Sequence, residues 1–135
     1  AGLCLSGADL DADTSPVEAA LAWTIARRHR VAPDAASFPG AARILRELAD
    51  GPRRRRVGLR VQGRVPVRAG AELRDGDGQA CGVVTSGGFG PSLDAPIAMG
   101  YVRTALAAPG TRLTVAIRNT EYAVEVQALP FVPHR

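Results

Sequence analysis

Apolar and polar residues alternate along most of the second half of the chain. From Val57 to Val61 every second residue is apolar, which is the period of a half-buried β-strand. The segment 74–78 contains two Asp-Gly pairs and predicts a hairpin turn, because these residues tolerate positive φ. Five or six short antiparallel strands at this spacing indicate a small barrel or sandwich. The further strands are predicted at 79–85, 97–102, 111–118 and 121–129.

The same alternation predicts the core of this β-rich region. Successive residues of a strand point to opposite faces, so the apolar positions of each strand are expected to face one interior. The Gly-rich segment Ser86 to Pro91 is interpreted as a packed turn, since a phosphate-binding loop would need a following helix and a lysine. The expected core residues are Val57, Leu59, Val83, Val84, Ile97, Met99, Val115, Ile117, Val124 and Val126.

The first fifty residues have a different pattern, in which loops and helical segments follow one another. Gly2 to Ser6 is compatible with a strand, and the Asp-rich stretch after it predicts a solvated loop. Ser15-Pro16-Val17-Glu18 is a capping box with proline at the first helical position, so it predicts a short helix. Trp23-Thr24-Ile25 is β-prone, and the charged run Arg27 to Arg30 predicts a loop.

A second helix is predicted from Ser37 to Ala49. Ser37 is its expected cap, Pro39 opens it, and Ala42, Leu45, Leu48 and Ala49 are expected on its apolar face. Asp50-Gly51-Pro52 ends this helix and marks a boundary. The predicted fold class is therefore α+β, mainly β. Residues 1–52 and 53–135 therefore differ in pattern, and residues 53–135 are expected to form a small antiparallel barrel or sandwich.

The charge of the chain adds little to this picture. The formal net charge is +4, and all 17 basic residues are arginine. Together with abundant Ala, Gly, Pro and Val, this indicates a GC-rich, bacterial genome more than a nucleic-acid partner. The cluster Arg53 to Arg56 is interpreted as a solvated linker or the start of a strand. A contact with a phosphate or a polyglutamate is the alternative interpretation.

The sequence predicts neither a metal site nor a membrane segment. Cys4 and Cys81 lie in apolar surroundings and are expected to be buried free thiols. Asp9, Asp11 and Asp13 lack the glycine and glutamate that would complete a calcium loop. No apolar run approaches the ~18 residues that span a bilayer, and no signal peptide is visible. A cytoplasmic location is expected, and the missing initiator methionine suggests a piece of a longer protein.

Several motifs run through the whole chain in a fixed order. The motifs are Ala1-Gly2-Leu3-Cys4-Leu5, Thr14-Ser15-Pro16-Val17-Glu18-Ala19, Leu21-Ala22-Trp23, Phe38-Pro39-Gly40, Arg55-Arg56-Val57-Gly58-Leu59, Gly82-Val83-Val84-Thr85-Ser86-Gly87, Ile97-Ala98-Met99-Gly100-Tyr101-Val102 and Leu129-Pro130-Phe131-Val132-Pro133. Together these motifs resemble those of the glycine-cleavage T-protein family. Two positions differ from the family pattern, because Ser6 replaces a tyrosine and Gly90 replaces a serine.

The resemblance implies an aminomethyltransferase of the glycine cleavage system. Such an enzyme moves the methylene of an aminomethyl group from a lipoylated carrier, the H-protein, to tetrahydrofolate and releases ammonia. The resemblance implies tetrahydrofolate as co-substrate, without a metal, a nucleic acid or a membrane as partner. It assigns residues 1–52 to the end of the folate-binding domain and residues 53–135 to the C-terminal barrel of the family, a small antiparallel, Greek-key-like β-barrel.

The resemblance also assigns one ligand-site residue. Trp23 matches a tryptophan of the family's folate site, where an indole can stack on a flat aromatic ligand; a core tryptophan is the alternative. The family's catalytic Asp, its pteridine-binding Glu and its Arg-Asp element have no counterpart in this sequence. No catalytic residue is therefore expected in the chain, and the chain by itself is expected to be inactive.

Two other functions remain open from the sequence. The first is the folate module of a dimethylglycine or sarcosine dehydrogenase or of a related demethylase, which share this C-terminal pattern. The second is a non-catalytic basic barrel that binds RNA through the arginine cluster. The second is less compatible with the low aromatic content of the chain, 4%, because such modules stack bases on aromatic side chains.

Overall fold

The computed structural model describes residues 1–31 and 37–133 of the chain. Its main feature is a closed six-stranded antiparallel barrel, which confirms the predicted α+β, mainly β fold. The strands are β1 (Arg54–Val61), β2 (Glu72–Arg74), β3 (Ala80–Gly90), β4 (Ala95–Arg103), β5 (Arg112–Ile117) and β6 (Thr120–Gln127). Around the barrel the order is β1-β4-β3-β2-β5-β6, and β6 pairs again with β1. Because β2, β3 and β4 are successive neighbours and β1 lies beside β4, the topology is a Greek key.

Apolar side chains from all six strands fill the barrel. Six of the expected core residues belong to this cluster, and Ile117 packs against it. The connection between β1 and β2 adds Val67, which is 1% exposed. The core residues are Val57, Leu59, Val61, Val67, Leu73, Cys81, Val84, Ala98, Val102, Leu113, Val115, Val124 and Val126.

The expectation that Val83, Ile97 and Met99 face the core is wrong. Val84 points inward, so the adjacent Val83 lies on the outer face and is 37% exposed. On β4 the inward residue is Ala98, which places Ile97 and Met99 on the outer face, where they are half-buried. On this face, Met99 contacts Arg56 of β1, and Tyr101 donates to the carbonyl of Asp9 in the first segment. Strand β4 is therefore apolar on both faces, and alternation alone does not reveal which set faces inward.

The predicted turn at Ser86 to Pro91 is also wrong, because β3 continues to Gly90 and stays paired with β4. One glycine of this segment, Gly87, allows a close backbone approach. A Cβ on Gly87 would lie 2.3 Å from the carbonyl oxygen of Val67. The chain reverses only afterwards, in a 3₁₀ turn at Pro91–Leu93. At Gly87 the glycine thus reflects a crowded strand, which is the second meaning that glycine has inside a sheet.

The first thirty residues are mostly irregular. The expected strand at Gly2 to Ser6 is absent from the described residues, and only an isolated bridge joins Ser6 to Leu10. The expected strand at Trp23 to Ile25 is instead a 3₁₀ turn at Ala22–Thr24. The charged run predicted as a loop forms a short helix, α1 (Arg27–Val31). Local propensity misjudges these segments because tertiary contacts outweigh it in short elements.

Helix α2 (Ala41–Asp50) confirms the second predicted helix. Its cap differs from the expectation, because the N-cap residue is Gly40 with φ 76° and no side chain caps the helix. Ile44 is buried, whereas Ala42 and Ala49, expected on the apolar face, are exposed. Gly51 ends the helix as predicted. Across the described ranges, no helix has the length and apolar character needed to cross a bilayer.

Candidate functional site

Trp23 lies on a turn whose geometry is set by the capping box before it. The Glu18 amide donates to Ser15 Oγ at 3.0 Å, and the Ser15 amide donates to Glu18 Oε2 at 3.2 Å. Only a single turn follows, in which the Leu21 amide reaches the Pro16 carbonyl at 2.7 Å. The capping box therefore forms as predicted without leading a regular helix, and it orients the chain that enters Ala22–Thr24.

The Trp23 side chain is exposed and lies along a groove. Trp23 is 73% exposed, so it does not belong to the core formed by the described residues of this chain. The groove has a volume of about 460 Å³ and is lined by the first three residues, by 20–21, by the start of β1 and by the segment after β6. A smaller adjoining hollow of about 380 Å³ also contains Trp23 in its wall. Leu3 and Leu5 are likewise strongly exposed, at 76% and 66%.

Arg56 forms part of the groove wall and connects the first segment to the barrel. It is 6% exposed. Its Nε donates to the Ala19 carbonyl at 2.9 Å, and its Nη1 donates to the Gly2 carbonyl at 2.9 Å and contacts Met99 Sδ at 3.1 Å. The Arg56 amide also donates to the Glu18 carbonyl at 2.8 Å. These contacts hold both ends of residues 1–20 against the outer face of β1.

Glu18 is the centre of a second set of polar contacts, away from the groove. It is 6% exposed, and its carboxylate forms salt bridges with the guanidinium groups of Arg43, at 2.9 Å, and Arg54, at 3.2 Å. Arg54 also lies 4.7 Å from the centroid of the Tyr101 ring, which is within the range of a cation–π contact. Arg43 reaches Glu47 at 2.7 Å, which raises the pKa of that guanidinium. This network joins α2 and the capping-box turn to β1.

The arginine cluster is therefore divided among different roles. It opens β1, in agreement with one of the two sequence interpretations. Arg54 and Arg56 are used in internal contacts, whereas Arg53 and Arg55 are exposed on the surface. Arg55 lines the groove beside Trp23, and Arg53 lines a different hollow near α2. A continuous basic stripe of four arginines, as RNA binding through this cluster would use, is not formed.

The environment of Asp9 differs most from the one predicted from the sequence. It was expected in a solvated loop, but it is 2% exposed. Its carboxylate accepts hydrogen bonds from Thr85 Oγ1 at 2.6 Å, Ser86 Oγ at 2.8 Å and the Leu5 amide at 3.0 Å. Its carbonyl accepts the Tyr101 hydroxyl at 2.7 Å. The alternating aspartates gave no signal for this, because the partners are far away along the chain.

Burial or hydrogen bonding shifts the pKa values of four further groups. Burial raises the pKa of Tyr101 to about 12 and raises the pKa of the Cys4 and Cys81 thiols. Both cysteines are free; Cys81 is buried, and Cys4 is half-buried. Asp11 accepts the Thr14 hydroxyl at 2.6 Å, which lowers its pKa, as expected for a capping residue at the end of the loop. Within residues 1–31 and 37–133, no group of His, Cys, Asp or Glu is arranged to hold a metal ion.

The structure is a closed Greek-key barrel to which polar contacts attach the N-terminal segment, and this arrangement is compatible with a defined protein family. The family model described as the glycine cleavage T-protein C-terminal barrel domain matches residues 54–133, which include every barrel strand. The chain belongs to this family. The boundaries of the match lie close to the observed barrel, which begins at Arg54 and whose last strand ends at Gln127.

Similar proteins extend the relationship to the first segment. The chain is 48% identical over 133 residues to the mitochondrial aminomethyltransferase of Gallus gallus, covering 98% of this chain and 33% of that protein. The corresponding human protein is 45% identical, with 98% of this chain and 32% of that protein covered. A solved structure, the glycine cleavage system aminomethyltransferase T of Bartonella henselae, has a TM-score of 0.88 and 50% identity over 97% of this chain and 36% of that one. The chain spans about a third of the length of the curated relatives that it matches.

Proposed function

We propose that this chain is the C-terminal part of an aminomethyltransferase of the glycine cleavage system. The reaction transfers the methylene of a carrier-bound aminomethyl group to tetrahydrofolate and releases ammonia. The observation that carries the proposal is the match of 98% of the chain, at 48% identity, to a protein with this activity in its name. Since that match includes the first segment as well as the barrel, it extends to the residues that surround Trp23.

The proposal divides the chain as the sequence suggested. Residues 1–52 form the end of the folate-binding domain, and residues 53–135 form the C-terminal barrel. Tetrahydrofolate is the co-substrate, no metal is needed, and the lipoylated H-protein is the partner. A cytoplasmic location in a bacterium is part of the same proposal. The contacts of Arg56 and Glu18 support a common unit, because they attach the first segment to the outer face of the barrel.

Trp23 is the proposed folate contact. An exposed indole beside a groove of about 460 Å³ offers an apolar face that a flat aromatic ring can cover. The groove is lined by no aspartate or glutamate, which suits a ligand that carries carboxylates. The residues present thus fit the aromatic and acidic chemistry of a folate. Their contribution is to bind and orient it, since charges that stabilise the transition state must come from other residues.

Two measurements test the proposal. The longest natural polypeptide that contains this sequence should release ammonia from an aminomethyl-loaded, lipoylated carrier when tetrahydrofolate is added. Without tetrahydrofolate the release should fall strongly. The 135-residue chain alone should be inactive, because the family's Asp, Glu and Arg-Asp element have no counterpart in it. Absence of folate-dependent ammonia release from the natural polypeptide would refute the function, and full turnover by the 135-residue chain would refute the assignment of the catalytic groups.

A further inference from the structure

The groove beside Trp23 has an unusual balance of charge. Arg55 and Arg56 both line it, and no acidic residue does. In the described part of the chain, neither arginine pairs with a carboxylate, whereas Arg54, which precedes them, pairs with Glu18. Two cations along a concave, partly apolar wall produce a local positive potential that attracts anions. The groove is therefore prepared for a ligand that combines an aromatic surface with negative charge.

The two arginines differ in how far they are available to such a ligand. Arg56 is buried and already donates to two backbone carbonyls, so it contributes mainly positive potential. Arg55 is exposed and makes no side-chain hydrogen bond among the described residues. It lines both the groove and the adjoining hollow, with Trp23 in the wall of each. Its planar guanidinium can bind a carboxylate with two parallel hydrogen bonds.

The adjoining hollow is also favourable for an anion. Its one acidic residue is Glu47, whose carboxylate is used by Arg43 and by the Ser15 hydroxyl. An incoming carboxylate therefore approaches Arg55 in a place where the nearest negative charge is already neutralised. The groove and this hollow share Ala20, Trp23 and Arg55 in their walls.

We propose that Arg55 binds the glutamyl carboxylates of the folate whose aromatic part lies against Trp23. This inference rests on the proposed function and adds a subsite to it. A folate joins a flat aromatic system to a flexible glutamyl tail, and each further γ-linked glutamate adds one carboxylate. Trp23 and Arg55 present the two matching chemistries side by side. Arg55 thus determines the preference for folates with longer glutamyl tails.

The test compares Arg55→Gln with Arg53→Gln in the longest natural polypeptide that contains this sequence. Arg53 is a matched control, since it is exposed, belongs to the same cluster and lines a different hollow. Three probes separate the ring from the tail: tetrahydropteroate, which has no glutamate, tetrahydrofolate with one glutamate, and tetrahydrofolate with three. Affinities are measured by titration calorimetry at low and at high salt, together with the melting temperature of each variant.

Arg55→Gln should weaken the triglutamate by about 3- to 10-fold, as expected for loss of a partly exposed charge-assisted contact. It should change tetrahydropteroate by less than about 2-fold, and the difference should shrink at high salt because exposed charges are screened. Arg55→Lys should restore part of the affinity, and Arg53→Gln should change none of the three.

Three outcomes in the Arg55→Gln variant would overturn the subsite. The first is an unchanged triglutamate affinity in Arg55→Gln, and the second is an equal loss for all three probes, which would indicate disturbed structure. The third is a lower melting temperature with unchanged affinities, which would make the groove a contact between protein segments. If the unsubstituted polypeptide bound none of the probes, the proposed function would fail and the subsite with it. Binding of all three probes with equal affinity would refute the subsite and leave the proposed function intact.

Discussion

Replacing Asp9 with alanine removes the acceptor that attaches the first ten residues to the barrel. The Asp9 carboxylate is 2% exposed and accepts three hydrogen bonds, two of them from the hydroxyls of Thr85 and Ser86 on β3. Alanine leaves both hydroxyls and the Leu5 amide without this partner. Water can replace this partner only in part, because the Asp9 position is buried although Thr85 and Ser86 are half-buried.

The expected cost follows from the number of bonds. A hydrogen bond to a charged group contributes roughly 1.5–3 kcal/mol, and three bonds to one carboxylate are not additive. Thr85 also keeps a second acceptor, the Met99 carbonyl at 3.2 Å. We therefore expect Asp9→Ala to lower the free energy of unfolding by about 2–4 kcal/mol. Asp9→Asn keeps the shape and one acceptor oxygen, so about 1–2 kcal/mol is expected.

Urea unfolding followed by circular dichroism measures this difference, with an unchanged slope as the check that the unfolded state is unaltered. Asp13→Ala is the control, because Asp13 is exposed in the same loop and should cost less than about 0.5 kcal/mol. A double-mutant cycle with Thr85→Val should show a coupling of about 1 kcal/mol. If Asp9→Ala were as mild as Asp13→Ala, the carboxylate would not hold the segment, and the reasoning would be wrong.

Three further results are expected. Burial raises the pKa of Tyr101 to about 12, above the value of about 10 in an unfolded chain. The stability that the neutral Tyr101 side chain contributes is therefore complete below about pH 10 and is lost as the pH rises toward 12. Unfolding free energies measured from pH 9 to 12 should consequently fall less steeply for Tyr101→Phe than for the unsubstituted protein. Gly100→Ala would place a Cβ 2.4 Å from the carbonyl oxygen of Val83 and should lower the free energy of unfolding by more than about 2 kcal/mol. Gly88→Ala is the control, because the Cβ would enter open space, and thermal unfolding should show little change for it. Trp23→Ala should weaken tetrahydrofolate binding by roughly 1–3 kcal/mol with little change in melting temperature, and a large drop in melting temperature with normal binding would remove Trp23 from the site.

The barrel could be predicted from the sequence because its strands and turns have local sequence patterns. The alternation from Val57 to Val61 and the Asp-Gly turn at 75–78 depend only on residues close together in the chain. The exception at Ser86 to Pro91 has the same origin, because glycine signals either a turn or a close backbone approach. The close approach of Gly87 to the Val67 carbonyl, which decides between them, joins β3 to the connection between β1 and β2 and so depends on residues that are distant in sequence.

The first segment was less predictable because contacts with the barrel determine its conformation. Asp9 was predicted to be exposed to solvent, but it is buried because its carboxylate accepts hydrogen bonds from two hydroxyls of β3. The strand expected at Trp23 is instead a turn, in which Thr24 Oγ1 donates to the Leu21 carbonyl at 2.8 Å. Of the groove, Trp23 was predicted from a family motif, and a polyglutamate contact was the alternative interpretation of the arginine cluster. The position of Arg55 beside Trp23 follows from the pairing of β1, which no local pattern contains.

Strand β1 lies between β4 and β6, and this placement has a consequence for how the chain is synthesised. Its residues Gly58–Val61 pair with Val124–Gln127, so part of the first barrel strand to leave the ribosome lacks a partner until the last strand has been made. During that interval β1 exposes an unpaired edge of alternating apolar residues, which is the kind of surface that joins strands of different chains. Any product that ends before Thr120 would carry open edges on both β1 and β5. Nascent chains stalled in this region should therefore depend on chaperones and aggregate when these are depleted.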